Sequence, residues 1–179
     1  MGDKRSKGGS LARNFKSDLN KGVLGEQLFK RLFTAATSID GLKGDLTVNG
    51  LKVELKSDYY DMHSTLNYFM EHYGNMDKQK LGGPFKALAD GCPYFVYFYV
   101  NQLSGSIWRT QELVAQLETI LPKLKSVHVP NKSWTTLGYK VPRSLLRPGI
   151  EFAADRLHVL SPDYTFISTD WGYKPQGRR

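Results

Sequence analysis

The dipeptide Asn49-Gly50 is the feature that most constrains the fold, because it lies between two short runs rich in Val and Leu. It predicts a two-residue type I′ hairpin turn, in which both central residues need positive φ. A loop of that length sets the strand pairing, so Asp45 is expected to face Glu54. Side chains alternate across a strand, and Lys56 therefore shares the face of Glu54. The opposite face is wholly apolar and is expected to be core: Leu46, Val48, Leu51, Val53 and Leu55.

A sequence selected only for stability would avoid two directly opposed carboxylates. Opposed Cβ atoms lie roughly 4.5–5.5 Å apart, and like charges at that separation destabilise a sheet. A divalent cation between Asp45 and Glu54 would reverse this effect, since carboxylate oxygens are ligands that Mg²⁺ prefers. Lys56 could then orient an attacking water or stabilise charge on a phosphate. The alternative is a solvated strand face, on which the carboxylates form ion pairs with Lys52 and Lys56.

A helix is expected before the hairpin, over about residues 17–36. Glu26 lies in its apolar stripe, because at 100° per residue it falls within about 60° of four apolar side chains. Those four are Leu19, Val23, Phe29 and Phe33. A buried carboxylate is costly unless it is paired or near a metal. Gly22 and Gly25 flank Glu26 and would permit close packing of this helix against the hairpin.

These elements resemble the PD-(D/E)XK nuclease superfamily, whose members have a restriction-endonuclease-like fold. The matching residues are Asp45 on one strand and Glu54-Leu55-Lys56 on the next, and Glu26 occupies the place of the family's helical glutamate. Gly44 stands where the family often has proline. The resemblance covers about residues 17–101. It implies an α/β domain with a mixed central sheet flanked by helices and a site at one sheet edge, and the order of predicted elements indicates the same class.

The resemblance implies a Mg²⁺-dependent deoxyribonuclease, with endonuclease action expected and with Mn²⁺ able to substitute. Asp45 and Glu54 would hold the metal together with the backbone carbonyl of Leu55, and Glu26 would complete the site directly or through water. Lys56 would orient the water, and the products would carry 5′-phosphate and 3′-hydroxyl ends. A supporting set is expected nearby: Asp58, Asn67 and Glu71. Two alternatives stay open, namely a same-fold nuclease acting on RNA and a non-catalytic basic nucleic-acid-binding protein.

The formal net charge of +8 suits a polyanionic partner such as DNA. Basic and aromatic side chains are interspersed in several segments, where they could grip phosphates or stack on bases. The candidates for DNA contact are Tyr59, Tyr60, Lys80, Lys86, Lys132, Trp134, Lys140, Arg143 and Arg147. A homodimer is a further open arrangement, because cutting two strands needs two sites.

The chain of 179 residues is long enough for one domain, expected at residues 17–171 between a flexible basic arm (1–16) and a loose basic tail (172–179). Cys92 is the only cysteine, so no disulfide framework exists within the chain and a reducing cytoplasm is the default. For a phage or mobile-element nuclease, that would be the host-cell cytoplasm. The longest apolar run, YFVYFYV, is far shorter than the ~20 residues of a membrane span.

Overall fold

The structure of the protein, a computed structural model, describes residues 15–39, 45–158 and 170–176. The side chains of residues 15–20, 45 and 158 lie outside this description. The helices within these ranges are α1 (Phe15–Leu32), α2 (Gly83–Ala89) and α3 (Thr110–Ile120). The strands are β1 (Ala36–Ser38), β2 (Asp45–Val48), β3 (Leu51–Asp58), β4 (Asn67–Asn75), β5 (Lys80–Leu81), β6 (Tyr94–Tyr99), β7 (Ser104–Arg109), β8 (Ser126–Pro130), β9 (Thr135–Pro142), β10 (Ile150–Ala153) and β11 (Arg156–His158).

The hairpin of β2 and β3 has the predicted turn and register. Asn49 and Gly50 have φ values of 51° and 79°, as a type I′ turn requires, and Asp45 pairs with Glu54. The apolar face is core where it lies beneath α1, since Leu46, Val48 and Val53 are fully buried. Leu51 departs from the prediction with 44% of its surface exposed. It directly follows the turn, at the end of the strand, where the core no longer covers it.

A mixed sheet organises the fold, and the predicted α/β class is confirmed. In the described ranges it has seven strands in the order β1-β2-β3-β6-β7-β10-β11. β3 and β6 are parallel, and the other neighbours are antiparallel. A parallel pair needs a long crossover connection, and here the connection carries β4, β5 and α2. Helices lie on both faces, with α1 on one and with α2 and α3 on the other.

A second sheet covers the face that α2 and α3 share. Its order is β5-β4-β9-β8, and every pairing is antiparallel. Tyr68 of β4 packs between the sheets, with its ring 5.3 Å from that of Trp108 in an edge-on arrangement. Its hydroxyl and that of Ser106 are hydrogen-bonded at 3.0 Å. The sequence predicted one mixed central sheet, and not this separate layer over it.

α1 and the C-terminal segment both differ from prediction. α1 ends at Leu32 rather than near residue 36, because Ala36 opens β1 and the preceding backbone bonds to residues 171–173. α1 also begins at Phe15, inside the expected arm, whose first fourteen residues lie outside the described ranges. Residues 172–176 are not a loose tail. The Tyr173 hydroxyl donates to the Ala153 carbonyl at 2.6 Å, and the Lys174 amide donates to the Leu32 carbonyl at 2.7 Å.

Close approach of α1 to β3 depends on Gly25. A Cβ atom at this position would lie 2.1 Å from Ser57 Oγ and 2.8 Å from Ser57 Cβ, so Gly25→Ala must push α1 away from the sheet. We expect this variant to lose about 1–3 kcal/mol in the free energy of unfolding, measured by urea denaturation.

Gly22→Ala is the matched control, because nothing lies within 4 Å of a Cβ at Gly22. There the better helix propensity of alanine acts alone and should stabilise by roughly 0.5–1 kcal/mol. A shift of both variants in the same direction would contradict the packing described for α1.

Among the helices of the described ranges, none is long and apolar enough to cross a membrane.

Candidate active site

The centre of the predicted site is the ladder position at which β2 and β3 bring Asp45 and Glu54 opposite each other. The side chain of Asp45 lies outside the described part of the structure. The Glu54 carboxylate is largely buried, with 18% of the side chain exposed, and it accepts from Lys86 Nζ at 3.2 Å. Lys86 also contacts Asp90 at 3.1 Å. Burial alone would lower the pKa of Lys86, but the two carboxylates outweigh it and raise that pKa above its ordinary value.

Lys56 extends from the same face of β3 toward the second sheet. Its ammonium group donates to the Glu71 carboxylate on β4, and it lies 5.8 Å from the centre of the Phe69 ring. Both charged side chains are largely buried, with 30% of Lys56 and 23% of Glu71 exposed. The structure thus places Glu71, one of the predicted supporting residues, in direct contact with the predicted catalytic lysine.

A cleft of about 900 Å³ opens where β3 runs past β2. The pairing of β2 with β3 ends at Glu54, so in the described ranges the Leu55–Asp58 stretch of β3 has no partner on that side. This stretch lines one wall of the cleft, and Lys21, Gly22 and Glu26 of α1 line another. The second sheet supplies the third wall: Asn67, Phe69, Glu71, Val127, Val129 and Lys140.

The cleft unites most of the predicted site, but not all of it. Its described lining includes Glu26, the predicted ligand Leu55, Lys56 and the three supporting residues Asp58, Asn67 and Glu71. Glu54 is not part of that lining and lies one position before it on β3. Glu26 is half-buried rather than buried, as expected of a helical carboxylate that faces a cleft.

Tyr97 is a residue of this site that the sequence did not single out. It lies beside Lys56 in the parallel register of β3 and β6 and is fully buried. Its hydroxyl donates to Asp58 Oδ2 and accepts from the Phe69 amide at 3.1 Å, so it joins both sheets. Burial raises the pKa of Tyr97 well above its ordinary value, and the Asp58 charge raises it further. The hydroxyl therefore keeps its proton and can donate at neutral pH.

Tyr97→Phe should lower the free energy of unfolding by about 1–3 kcal/mol, because it leaves the Asp58 carboxylate and the Phe69 amide without this partner. Urea denaturation measures the loss. Tyr68→Phe is a matched control that should cost about 0.5–1.5 kcal/mol, since within the described residues the buried Tyr68 hydroxyl bonds to the neutral Ser106 alone. A smaller loss for Tyr97→Phe than for Tyr68→Phe would contradict the role assigned to Tyr97.

The loop of residues 59–66 follows β3 at one end of the cleft and is held at several points. Asp58 Oδ1 accepts from the Tyr60 amide at 2.8 Å, and Asn101 Nδ2 donates to the Tyr59 carbonyl at 2.7 Å. The guanidinium group of Arg143 donates to the carbonyls of Met62 and Thr65. Arg143, predicted to contact DNA, thus has a structural task in holding this loop.

The other predicted DNA contacts fall into two groups. Tyr59, Tyr60 and Lys140 line the cleft. The remaining ones lie outside its described lining, on α2, at β5 or in the segment around β9: Lys80, Lys86, Lys132, Trp134 and Arg147. Lys80, Lys132 and Arg147 are exposed, whereas Trp134 is half-buried and Lys86 is engaged with Glu54.

Asn131 and Thr136 also line the cleft, although the sequence did not mark them. Asn131 Nδ2 donates to Thr136 Oγ1 at 3.0 Å, and Thr136 Oγ1 donates to the Gly74 carbonyl at 3.0 Å. A sequence pattern could not have revealed them, because their position depends on how β8 and β9 pair with β4.

The residues present fit Mg²⁺ by donor type. The paired positions Asp45 and Glu54 carry carboxylates and Leu55 follows Glu54 directly, so the donors available beside the start of β2 are oxygens, the kind that Mg²⁺ prefers. The described side chains include no group of three or more His, Cys, Asp or Glu close enough to hold a metal. The side chain of Asp45 is not among the described ones.

Comparison with known proteins found no matching family model, no matching curated protein and no matching solved structure.

Proposed function

We propose that this protein is a Mg²⁺-dependent deoxyribonuclease with a restriction-endonuclease-like core, acting as an endonuclease. The observation that carries the proposal is the pairing of Asp45 with Glu54, together with Lys56 two residues further along β3 at the wall of a cleft. A mixed sheet with helices on both faces supports the fold assignment. The net charge of +8 supports a nucleic acid as the partner.

Asp45 and Glu54 would hold the metal, with the Leu55 carbonyl and Glu26 as further oxygen donors. The bound metal would lower the pKa of its water and stabilise the charge that develops on the scissile phosphate. Lys56 would orient the attacking water by hydrogen bonding. Glu71 holds the Lys56 ammonium group in place, so the position of this donor is determined before substrate binds. The Tyr97 hydroxyl, bonded to Asp58 and to the Phe69 amide, ties the end of β3 to the second sheet.

A non-catalytic nucleic-acid-binding protein is the second candidate, and specific contacts favour it. Glu54 contacts Lys86, and Lys56 contacts Glu71, so both predicted site residues already take part in ion pairs. In that case these charges would serve to join β3 to α2 and β4, and DNA would bind to the basic surface without being cut.

A cleavage assay separates the two candidates. Supercoiled plasmid, linear duplex and single-stranded DNA are incubated with Mg²⁺, Mn²⁺ or EDTA, using wild type and Glu54→Ala in parallel. Metal-dependent cleavage by the wild type alone is the expected result. If neither protein cuts any substrate and both retard DNA in a gel, the proposal of a nuclease is wrong. A labelled RNA of matched sequence tests the same-fold alternative.

Lys56→Met should reduce metal-dependent cleavage by about a hundredfold, because it removes the donor that orients the water. The rate of plasmid nicking measures the effect. Lys52→Met is the matched control, since Lys52 lies on the same face of β3 but pairs opposite Thr47, away from the described cleft lining. Equal losses in both variants would point to a general charge effect and contradict a catalytic role for Lys56.

A further inference from the structure

The cleft contains an exposed aromatic ring, on which a base that is paired and stacked within a duplex could not stack. Tyr60 lines the cleft, yet 68% of its surface is exposed. Bases in a duplex stack on one another and present only their edges in the grooves. An unpaired base offers its flat face, and stacking of that face on an aromatic ring is a main source of affinity for single strands.

Tyr60 is exposed, but its backbone is held. The amide of Tyr60 donates to Asp58, the preceding carbonyl accepts from Asn101, and Arg143 anchors the rest of the loop. Because the backbone that carries this ring is already held, binding has to order only the side chain and not the loop, which favours affinity.

The charges of the cleft also suit a strand of nucleic acid. Lys21 and Lys140 come from opposite walls, on α1 and β9. Of the acidic residues in the lining, Glu71 is neutralised by its pairing with Lys56, and both oxygens of Asp58 already accept hydrogen bonds from protein donors. Glu26 belongs to the proposed metal site. Asn131 and Thr136 add polar groups to the lining, and hydrogen bonds to each other and to the Gly74 carbonyl hold them in place.

The volume of about 900 Å³ is at the upper end of the range for pockets that enclose small ligands, and so suits a short run of nucleotides. We infer that this cleft binds an unpaired single strand of DNA, with one base stacked on Tyr60 and with Lys21 and Lys140 on its phosphates. This inference rests on the proposed function and names its substrate class. The strand would lead past the Leu55–Asp58 stretch of β3 toward Glu54 and Lys56.

Fluorescence anisotropy tests the inference in EDTA, where binding is measured without cleavage. The probes are a labelled single strand, the blunt duplex of the same sequence, and that duplex with a single-stranded tail. We expect the single strand and the tailed duplex to bind about tenfold more tightly than the blunt duplex. Tyr60→Ala should weaken single-strand binding about tenfold, and Tyr60→Phe should retain it.

Leu66→Ala is the matched control, because Leu66 is a 71% exposed apolar residue of the same loop outside the described cleft lining. Lys140→Ala should reduce the salt dependence of binding by about one phosphate contact. Lys123→Ala should leave it unchanged, because Lys123 is an exposed lysine outside the described cleft lining. Equal affinity for blunt duplex and single strand would overturn the inference. An unchanged affinity in Tyr60→Ala, or an equal loss in Leu66→Ala, would also overturn it.

Failure of the inference can be distinguished from failure of the proposed function. If the wild type cuts no DNA but shows this pattern of binding, the nuclease proposal falls and the single-strand site stands. If it cuts DNA with Mg²⁺ but binding does not respond to Tyr60→Ala, the nuclease proposal stands and the single-strand site falls.

Discussion

Glu54→Gln is expected to slow Mg²⁺-dependent plasmid cleavage by about 10²–10³-fold, with little change in the free energy of unfolding. The substitution preserves the size of the side chain but removes the negative charge that a metal would need. Its structural cost should be small, because the Lys86 side chain is 42% exposed and also contacts Asp90. Partly exposed ion pairs contribute at most about 1 kcal/mol. The measurements are the nicking rate and urea denaturation of the same preparation.

Lys86→Met is the decisive control for this prediction. It breaks the same ion pair as Glu54→Gln but leaves the Glu54 carboxylate in place. If Glu54 acts as a metal ligand, Lys86→Met should keep most of the cleavage activity. Equal losses in the two variants would show that the ion pair itself matters, and would remove the argument for a metal between Asp45 and Glu54.

Phe33→Ala should lower the free energy of unfolding by about 3–5 kcal/mol, the range for removing a fully buried phenyl ring. Phe33 lies at the centre of an aromatic cluster that joins three parts of the fold. Its ring is 4.7 Å from Phe29 on α1, 5.0 Å from Phe152 on β10 and 5.9 Å from Trp171. The cavity would therefore weaken the contacts of α1 and of the C-terminal segment with the central sheet.

Val23→Ala is the matched control on α1, the helix that ends directly before Phe33. Val23 is 42% exposed, and its substitution should cost no more than about 0.5 kcal/mol. Both variants are measured by urea denaturation. A loss below about 1 kcal/mol for Phe33→Ala would mean that α1 does not pack on the sheet as described. Since α1 carries Glu26 to the cleft, the position of Glu26 would then be in doubt as well.

The hairpin was predictable because its information is local. Asn49-Gly50 specifies the turn, the turn sets the pairing, and alternation decides which side chains share a face. That reasoning placed Asp45 opposite Glu54 correctly. It wrongly predicted that Leu51 is buried, because burial at the end of a strand depends on which other elements cover that end.

Predictions at the ends of the chain were weaker for a related reason. Helix α1 was expected, but its end at Leu32 reflects backbone bonds to residues 171–173, far away in sequence. The segment of residues 172–176 looked like a loose basic tail by composition. Tyr173 and Lys174 instead bond to β10 and α1. The composition of a segment shows whether its side chains tolerate solvent. It does not show whether another part of the protein binds that segment.

Turn chemistry and period-two alternation act within a few residues, so the hairpin, the opposed carboxylate positions and the lysine beside them can be derived from the sequence. The surroundings of these residues depend on contacts that form only in the folded chain. Parallel pairing of β3 with β6 sets Tyr97 beside Lys56, and the second sheet brings Glu71 to that lysine and closes the cleft. These contacts join segments far apart in the chain, and the strand YFVYFYV is apolar on both faces. Its local pattern therefore could not specify which neighbour it would pair with or which of its side chains would face the site.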